Sequence, residues 1–229
     1  MKNILAEKPA EKLHGRLLAS VNFVANEDIF NKDILDIGCG YGWCELEFLK
    51  HGAKMITATE ITENDLRTIR QNISDPRLVT LSADACSLPF DNNVFDTVVV
   101  WEVLEHLPKH TEPRMFEEIH RVLKPGGYLY LSTPHRSFFT NILDPAWWLI
   151  GHRHYAAKDL QKLAQKNNFQ IVKTYITGNW WTLFAIVDLY ISKWILRRKQ
   201  LFREFESKKE DQEFNRRGFV NMFIKLKKI

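Results

Sequence analysis

Apolar positions along this chain fall into two patterns that take turns. Short, nearly continuous runs rich in Ile, Val, Thr and aromatic residues occupy positions 34–37, 54–60, 78–81, 95–101, 128–133, 169–177 and 218–226. Between them the apolar residues recur at three- and four-residue spacing, over 9–27, 43–51, 63–73, 112–123 and 157–167. The first kind is the signature of strands buried on both faces, the second of helices with one apolar side. In the segment 9–27, for example, Leu13, Leu17, Leu18, Val21 and Val24 share one side. Regular strand and helix alternation predicts an α/β chain wound around a mostly parallel sheet. Pro125, Gly126 and Gly127 stop the helix at 112–123 before the next strand. Residues 134–156 are too long for a simple connection and carry Trp, His and Pro, the character of a loop facing a substrate.

The first strand runs into Asp36-Ile37-Gly38-Cys39-Gly40-Tyr41-Gly42 and then into a helix beginning at Trp43. Glycine leaves room for a ligand to approach the backbone, and the helix start presents unpaired N–H groups to it. The spacing G-x-G-x-G with Trp43 next differs from the dinucleotide fingerprint G-x-G-x-x-G. Glu60 ends the second strand some twenty residues beyond the glycines, where an acid can accept hydrogen bonds from both ribose hydroxyls. Its other reading is an acid at the start of the helix that follows. Asp84 falls just past the third strand.

This order of segments resembles the class I S-adenosylmethionine-dependent methyltransferases. The glycine turn matches their motif I, and Arg121-Val122-Leu123-Lys124-Pro125-Gly126-Gly127 matches their junction before the fifth strand. The resemblance covers residues 30–177 and implies a Rossmann-like doubly wound sheet of seven strands with helices on both faces. The last strand would be antiparallel, reached by a helical insertion over 178–216 that ties a pair of antiparallel edge strands, all within a single domain over 1–229. It implies S-adenosylmethionine as cofactor, held by Asp36, Gly38, Gly40, Gly42, Glu60 and Trp101. Asp84 would take the adenine amino group and the Ala85 N–H a ring nitrogen. Glu102, Glu105 and His106 follow the fourth strand as E-x-x-E-H, and on one helical turn they would share a face. The pattern resembles that of the ubiquinone-biosynthesis O-methyltransferases and of small-RNA 2′-O-methyltransferases, where it binds a divalent cation such as Mg²⁺; in other members Glu105 and His106 only structure the loop. His152 and His154 are candidates for a base or for the ion's shell, with a purely structural role as the alternative, and His106 joins them as a catalytic candidate.

Composition narrows the partners. The 229 residues are 45% apolar and 26% charged, ordinary for one globular domain. Cysteines 39, 44 and 86 form no metal-binding or disulfide pattern, and residues 1–8 form no signal peptide, so a reduced, cytoplasmic setting is expected. Residues 193–229 carry twelve Lys/Arg against five Asp/Glu, a surplus of seven that leaves the rest slightly acidic. Basic residues gathered there, away from the glycine turn, argue against a nucleic-acid channel. The run from Trp180 to Leu196 is apolar on most faces, holds two charges and is followed by Arg197-Arg198-Lys199. It reads as an interfacial membrane helix over 180–199, or as a lid or a homodimer face. The expectation is therefore a methyltransferase acting on a small or lipid-linked acceptor, at oxygen, on the inner face of a membrane or free in the cytoplasm. Its rivals are a metal-dependent RNA-end 2′-O-methyltransferase and a cofactor-binding scaffold without catalysis.

Overall fold

The computed structural model describes residues 8–9, 12–64, 66–149, 151–198, 200 and 203–229. Parts of the expectations lie outside them: the first residues, positions 10 and 11 of the first helix, Asp65 of the helix over 63–73, Ile150 of the loop over 134–156, and Lys199 and residues 201–202 of the insertion, as does the side chain of Trp194.

Seven strands form one sheet in the order β3-β2-β1-β4-β5-β7-β6. They are β1 (Asp33–Ile37), β2 (Met55–Glu60), β3 (Leu78–Ser82), β4 (Phe95–Trp101), β5 (Leu123–Pro134), β6 (Phe169–Thr177) and β7 (Asn221–Lys228). β1 pairs in parallel with β2 and β4, β2 with β3, and β4 with β5. β7 runs antiparallel to both β5 and β6. The expected seven-stranded sheet with an antiparallel last strand is present, but that strand is not at the edge. It enters between β5 and β6, and β6 is the edge. Its bounds also shift from 218–226 to Asn221–Lys228, because residues 218–220 are spent on backbone bonds to Ile176, Thr177 and Gly178.

Alternation along the central strands separates two cores. Val98 and Val100 of β4 point to one face and Val99 and Trp101 to the other. The first face is covered by α4 (Glu112–Val122) and α7 (Ala157–Lys166), through Met115, Phe116, Ile119 and Leu160. Val21 of α1 (Gly15–Phe23), Phe48 of α2 (Trp43–Lys50), Ile69 of α3 (Arg67–Asn72) and Phe214 of α9 (Arg203–Phe214) cover the second. Burying one Phe or Ile side chain contributes roughly 1.5–3 kcal/mol, so these layers supply most of the drive to fold. Residues 134–156 hold α5 (Phe138–Leu143) and α6 (Pro145–Leu149), and α8 (Trp180–Tyr190) continues as a π-helical turn over Ile191–Ile195. The three cysteines are free and buried.

Candidate functional site

The glycine turn lies at the carboxyl ends of β1 and β4. Gly38 and Gly42 have φ of 79° and 88°, and a Cβ there would stand 2.4 Å from Val103 Cγ2 and 2.7 Å from Ile69 Cγ1. Those two glycines let the loop pack against the protein. A Cβ on Gly40 would meet nothing within 4 Å, so this residue faces open space. The Gly40 N–H donates to Glu60 Oε1 at 2.8 Å, which holds the β2 carboxylate over the same opening. Asp84 is exposed beyond β3, and its Oδ1 accepts the Cys86 N–H at 2.8 Å, fixing the carboxylate direction; Ala85 beside it is buried. Trp101 is buried at the end of β4, its Nε1 without a hydrogen-bond partner among the described residues. Glycine loop, Glu60 and Asp84 thus occupy three successive strand ends, β1, β2 and β3, where open α/β sheets bind nucleotides.

Beneath the loop lies a feature that sequence reasoning missed. Asp36 is 1% exposed and Glu45 of α2 is fully buried. Asp36 Oδ1 and both Glu45 oxygens close no hydrogen bond to any donor among the described residues. The two acids meet each other instead. Burial first, then the neighbouring Glu45, pushes Asp36 well above the carboxylate range. Burial pushes Glu45 up to about 7, against the pull of backbone N–H groups at the start of α2. Glu45 makes it harder for Asp36 to ionise, as in acid pairs that cannot both carry a charge. The signal was spacing: Glu45 lies three and four residues before Phe48 and Leu49, on the buried stripe of α2.

After β4 the expected metal set does not assemble. Glu102 has φ of 55°, and Leu104–His106 form a 3₁₀ turn, so the three side chains never share a helical face. Glu102 Oε1 accepts from Ser132 Oγ at 2.7 Å, and Oε2 takes Asn221 Nδ2 at 3.3 Å and Arg16 Nη1 at 3.1 Å. Glu105 is buried and accepts from Thr133 Oγ1 at 3.0 Å, while burial and then the Glu102 charge hold it well above the carboxylate range. Among the described residues no group of three His, Cys, Asp or Glu side chains is arranged to hold a metal ion. The residues present do not fit Mg²⁺.

The histidines separate into two roles. His154 has a fully buried ring whose Nε2 donates to Asp144 Oδ2 at 2.9 Å, while Nδ1 faces the Asn141 side-chain amide at 2.9 Å. With both nitrogens engaged inside the protein, it ties residue 154 to α5 and α6 and cannot reach a substrate. His152 Nε2 lies 3.2 Å from His106 Nδ1, with the rings edge to face. One ring donates to the other, so whichever tautomer holds, one outer nitrogen keeps its lone pair. His106 is drawn down to about 4, by withdrawal from water and then by His152, and His152 is also drawn down by burial. Arg153 Nη2 donates to the carbonyls of Leu104 at 3.0 Å and Leu107 at 2.6 Å, and its Nη1 pairs with Glu112. Tyr155 Oη lies 3.0 Å from the same carboxylate. These bonds fasten the 3₁₀ turn to residues 152–155 and so hold the two imidazoles together.

Residues 35–131 match the family model described as a methyltransferase domain. A ubiquinone biosynthesis O-methyltransferase from Coxiella burnetii is 33% identical over 110 residues, 47% of this chain and 45% of that protein. The chain thus spans about half the length of the curated relatives it matches. Among solved structures, the cyclase SpnF superposes with a TM-score of 0.69 at 20% identity, covering 98% of this chain and 90% of that one. The magnesium protoporphyrin IX methyltransferase of Synechocystis, solved with SAH, superposes at 0.65 with 16% identity, covering 93% and 82%. One neighbour being a cyclase, the fold alone leaves the reaction open. Residues 35–131 thus resemble a methyltransferase domain, and the seven-stranded sheet has the fold of these solved structures.

Proposed function

We propose that this chain transfers the methyl of S-adenosylmethionine to a hydroxyl of a small or lipid-linked acceptor. The carrying observation is the position of the His106–His152 pair: Val103, three residues before His106, has its Cγ2 methyl 2.4 Å from where a Gly38 Cβ would stand, so the histidine turn abuts the glycine turn. Glu60, Asp84 and the Gly40 opening supply the polar groups for ribose and adenine. The cofactor, when bound, supplies a methyl already activated on a positive sulfonium. What remains for the protein is alignment, which can contribute roughly 7–11 kcal/mol, and removal of the hydroxyl proton, which contributes about 10²–10⁴-fold. The lone pair on the outer imidazole nitrogen takes that proton, and Arg153, Tyr155 and Glu112 keep the pair in place. The O-methyltransferase among the relatives supports the choice of oxygen. RNA-end methylation through a metal finds no support in the dispersed Glu102, Glu105 and His106.

Both imidazoles are drawn below their ordinary range, so the pair is a free base at neutral pH. The acid limb of kcat/KM is therefore expected below pH 6.5, the usual imidazole value. His152→Ala should lower kcat roughly 100-fold while leaving cofactor affinity, read by calorimetry, near that of the parent. An acid limb at or above 6.5, or a variant with full rate, removes the pair from catalysis.

A further inference from the structure

The connection 134–156 and the helical insertion meet in a surface that the reaction site does not use. α5 and α6 both pack against α8. The Phe139 and Trp180 ring centroids lie 4.7 Å apart, and both rings pack against Phe219 in tilted or edge-on contact. The outward side of this layer is apolar: Phe138 is 73% exposed, Trp148 68%, Leu149 65% and Ile195 72%. Trp148 donates its indole N–H inward to the Ile142 carbonyl at 3.0 Å, so the ring presents carbon alone to solvent. Large exposed aromatic and aliphatic side chains gathered on one layer mark an interaction surface rather than scattered exposure.

Charge says what the surface meets. Over 137–149 and 179–198 no described acidic side chain is exposed: Asp144 is turned in to His154, and Asp188 is half-buried near Ser192. Ile195 and Leu196 are followed at once by Arg197 and Arg198, all four exposed. An apolar face edged by cations and free of exposed anions over these segments complements an anionic phospholipid surface, which takes up bare carbon and matches a one-sided positive charge. Among the described residues no helix is long and apolar enough to cross a membrane, so contact stays at the surface. The layer is also joined to the acceptor side, because the His152 N–H donates to the Ala146 carbonyl of α6 at 3.2 Å.

We infer that α5, α6 and α8 form a docking face for an anionic bilayer, seating the acceptor site at the lipid surface. Its binding half stands without the methyl-transfer reading, since it is measured without cofactor or acceptor. The test is co-sedimentation of the full chain with vesicles of phosphatidylcholine alone or with one third phosphatidylglycerol. The parent should partition onto the mixed vesicles, and added salt should weaken but not abolish binding. Phe138→Ser/Trp148→Ser, which alters exposed side chains only, should lower the partition coefficient at least tenfold at every salt concentration. Arg197→Glu/Arg198→Glu should lower it at least tenfold at low salt only. A parent that stays in the supernatant with mixed vesicles at low salt overturns the inference. So does unchanged binding by the serine variant, or a parent dimer in sedimentation equilibrium that the serine variant splits, which would make the face a contact between two copies.

Discussion

Two pairs of acids stand at neighbouring strand ends and are treated in opposite ways. Asp36 and Glu45, under the glycine turn, are buried, with no donor among the described residues at Asp36 Oδ1 or at either Glu45 oxygen, and the Glu60 charge adds to what raises both. Glu102 and Glu105, one strand over, are supplied with Ser132, Thr133, Asn221 and Arg16. The second pair is structure: every bond it makes fixes β4 against β5, β7 or α1. The first pair resists ionising, in the region where a ligand bearing positive charge is expected. Carboxyls that look alike in the sequence therefore differ in their surroundings, one pair facing each other and the other tied to neighbouring side chains.

The largest expected effect breaks that contrast at Glu45. A carboxyl whose folded pKa is raised binds its proton more tightly when folded, so its contribution to stability is complete below the unfolded value, 4.5, and is lost as pH rises through about 7. Glu45→Gln cannot ionise and still offers Asp36 an N–H. Measured by denaturant unfolding, the stability difference should swing by about 3 kcal/mol in favour of the variant between pH 4.5 and 8. A difference that stays flat with pH would mean that Glu45 ionises as easily folded as unfolded.

Next in size is Glu102→Ala, which leaves Ser132 and Asn221 without their acceptor. Both are buried, Ser132 fully, so the loss should be about 2 kcal/mol; Arg16, 38% exposed, adds little because water takes over its partner. Because the Glu102 charge also helps hold Glu105 up, its removal eases Glu105 ionisation, so the loss should shrink as pH rises; a loss that stays flat with pH would mean that the two carboxyls do not feel each other.

Smallest is Glu60→Ala. Glu60 is half-buried and bonded to Gly40 N–H, so the fold loses little, but S-adenosylmethionine binding by calorimetry should weaken roughly tenfold, about 1.4 kcal/mol. Unchanged affinity would take Glu60 out of the cradle and leave it a clasp on the loop.

What could be read from the sequence follows the same physical divide. β4 and β6 have the bounds that the apolar runs set, because parallel central strands and alternating edges print directly as hydrophobicity. Gly38, Gly40 and Gly42 were legible because no other residue tolerates those backbones and contacts so cheaply. The failed metal set had a different cause: the argument assumed helical backbone, and Glu102 adopts a positive φ that non-glycine residues seldom take. His154 looked as available as His152 because its captor, Asp144, sits ten residues earlier and only the turn between α5 and α6 brings them together. The place of β7 was hidden too, since strand order within a sheet leaves no periodic trace.

That place has a consequence for how the molecule comes into being. β6 has β7 as its sole neighbour in the sheet, and β7 comprises residues 221–228. During synthesis β6 is made some forty residues ahead of the only strand it can join, with α8 and α9 emerging in the interval. Until Asn221–Lys228 have left the ribosome, β5 keeps an open edge and β6 is an unpaired strand, the two features that invite pairing with another chain. A premature stop anywhere in the insertion would make that interim state permanent, preserving β1–β4 with the glycine turn, Glu60 and Asp84 in a product whose exposed strands favour aggregation over folding.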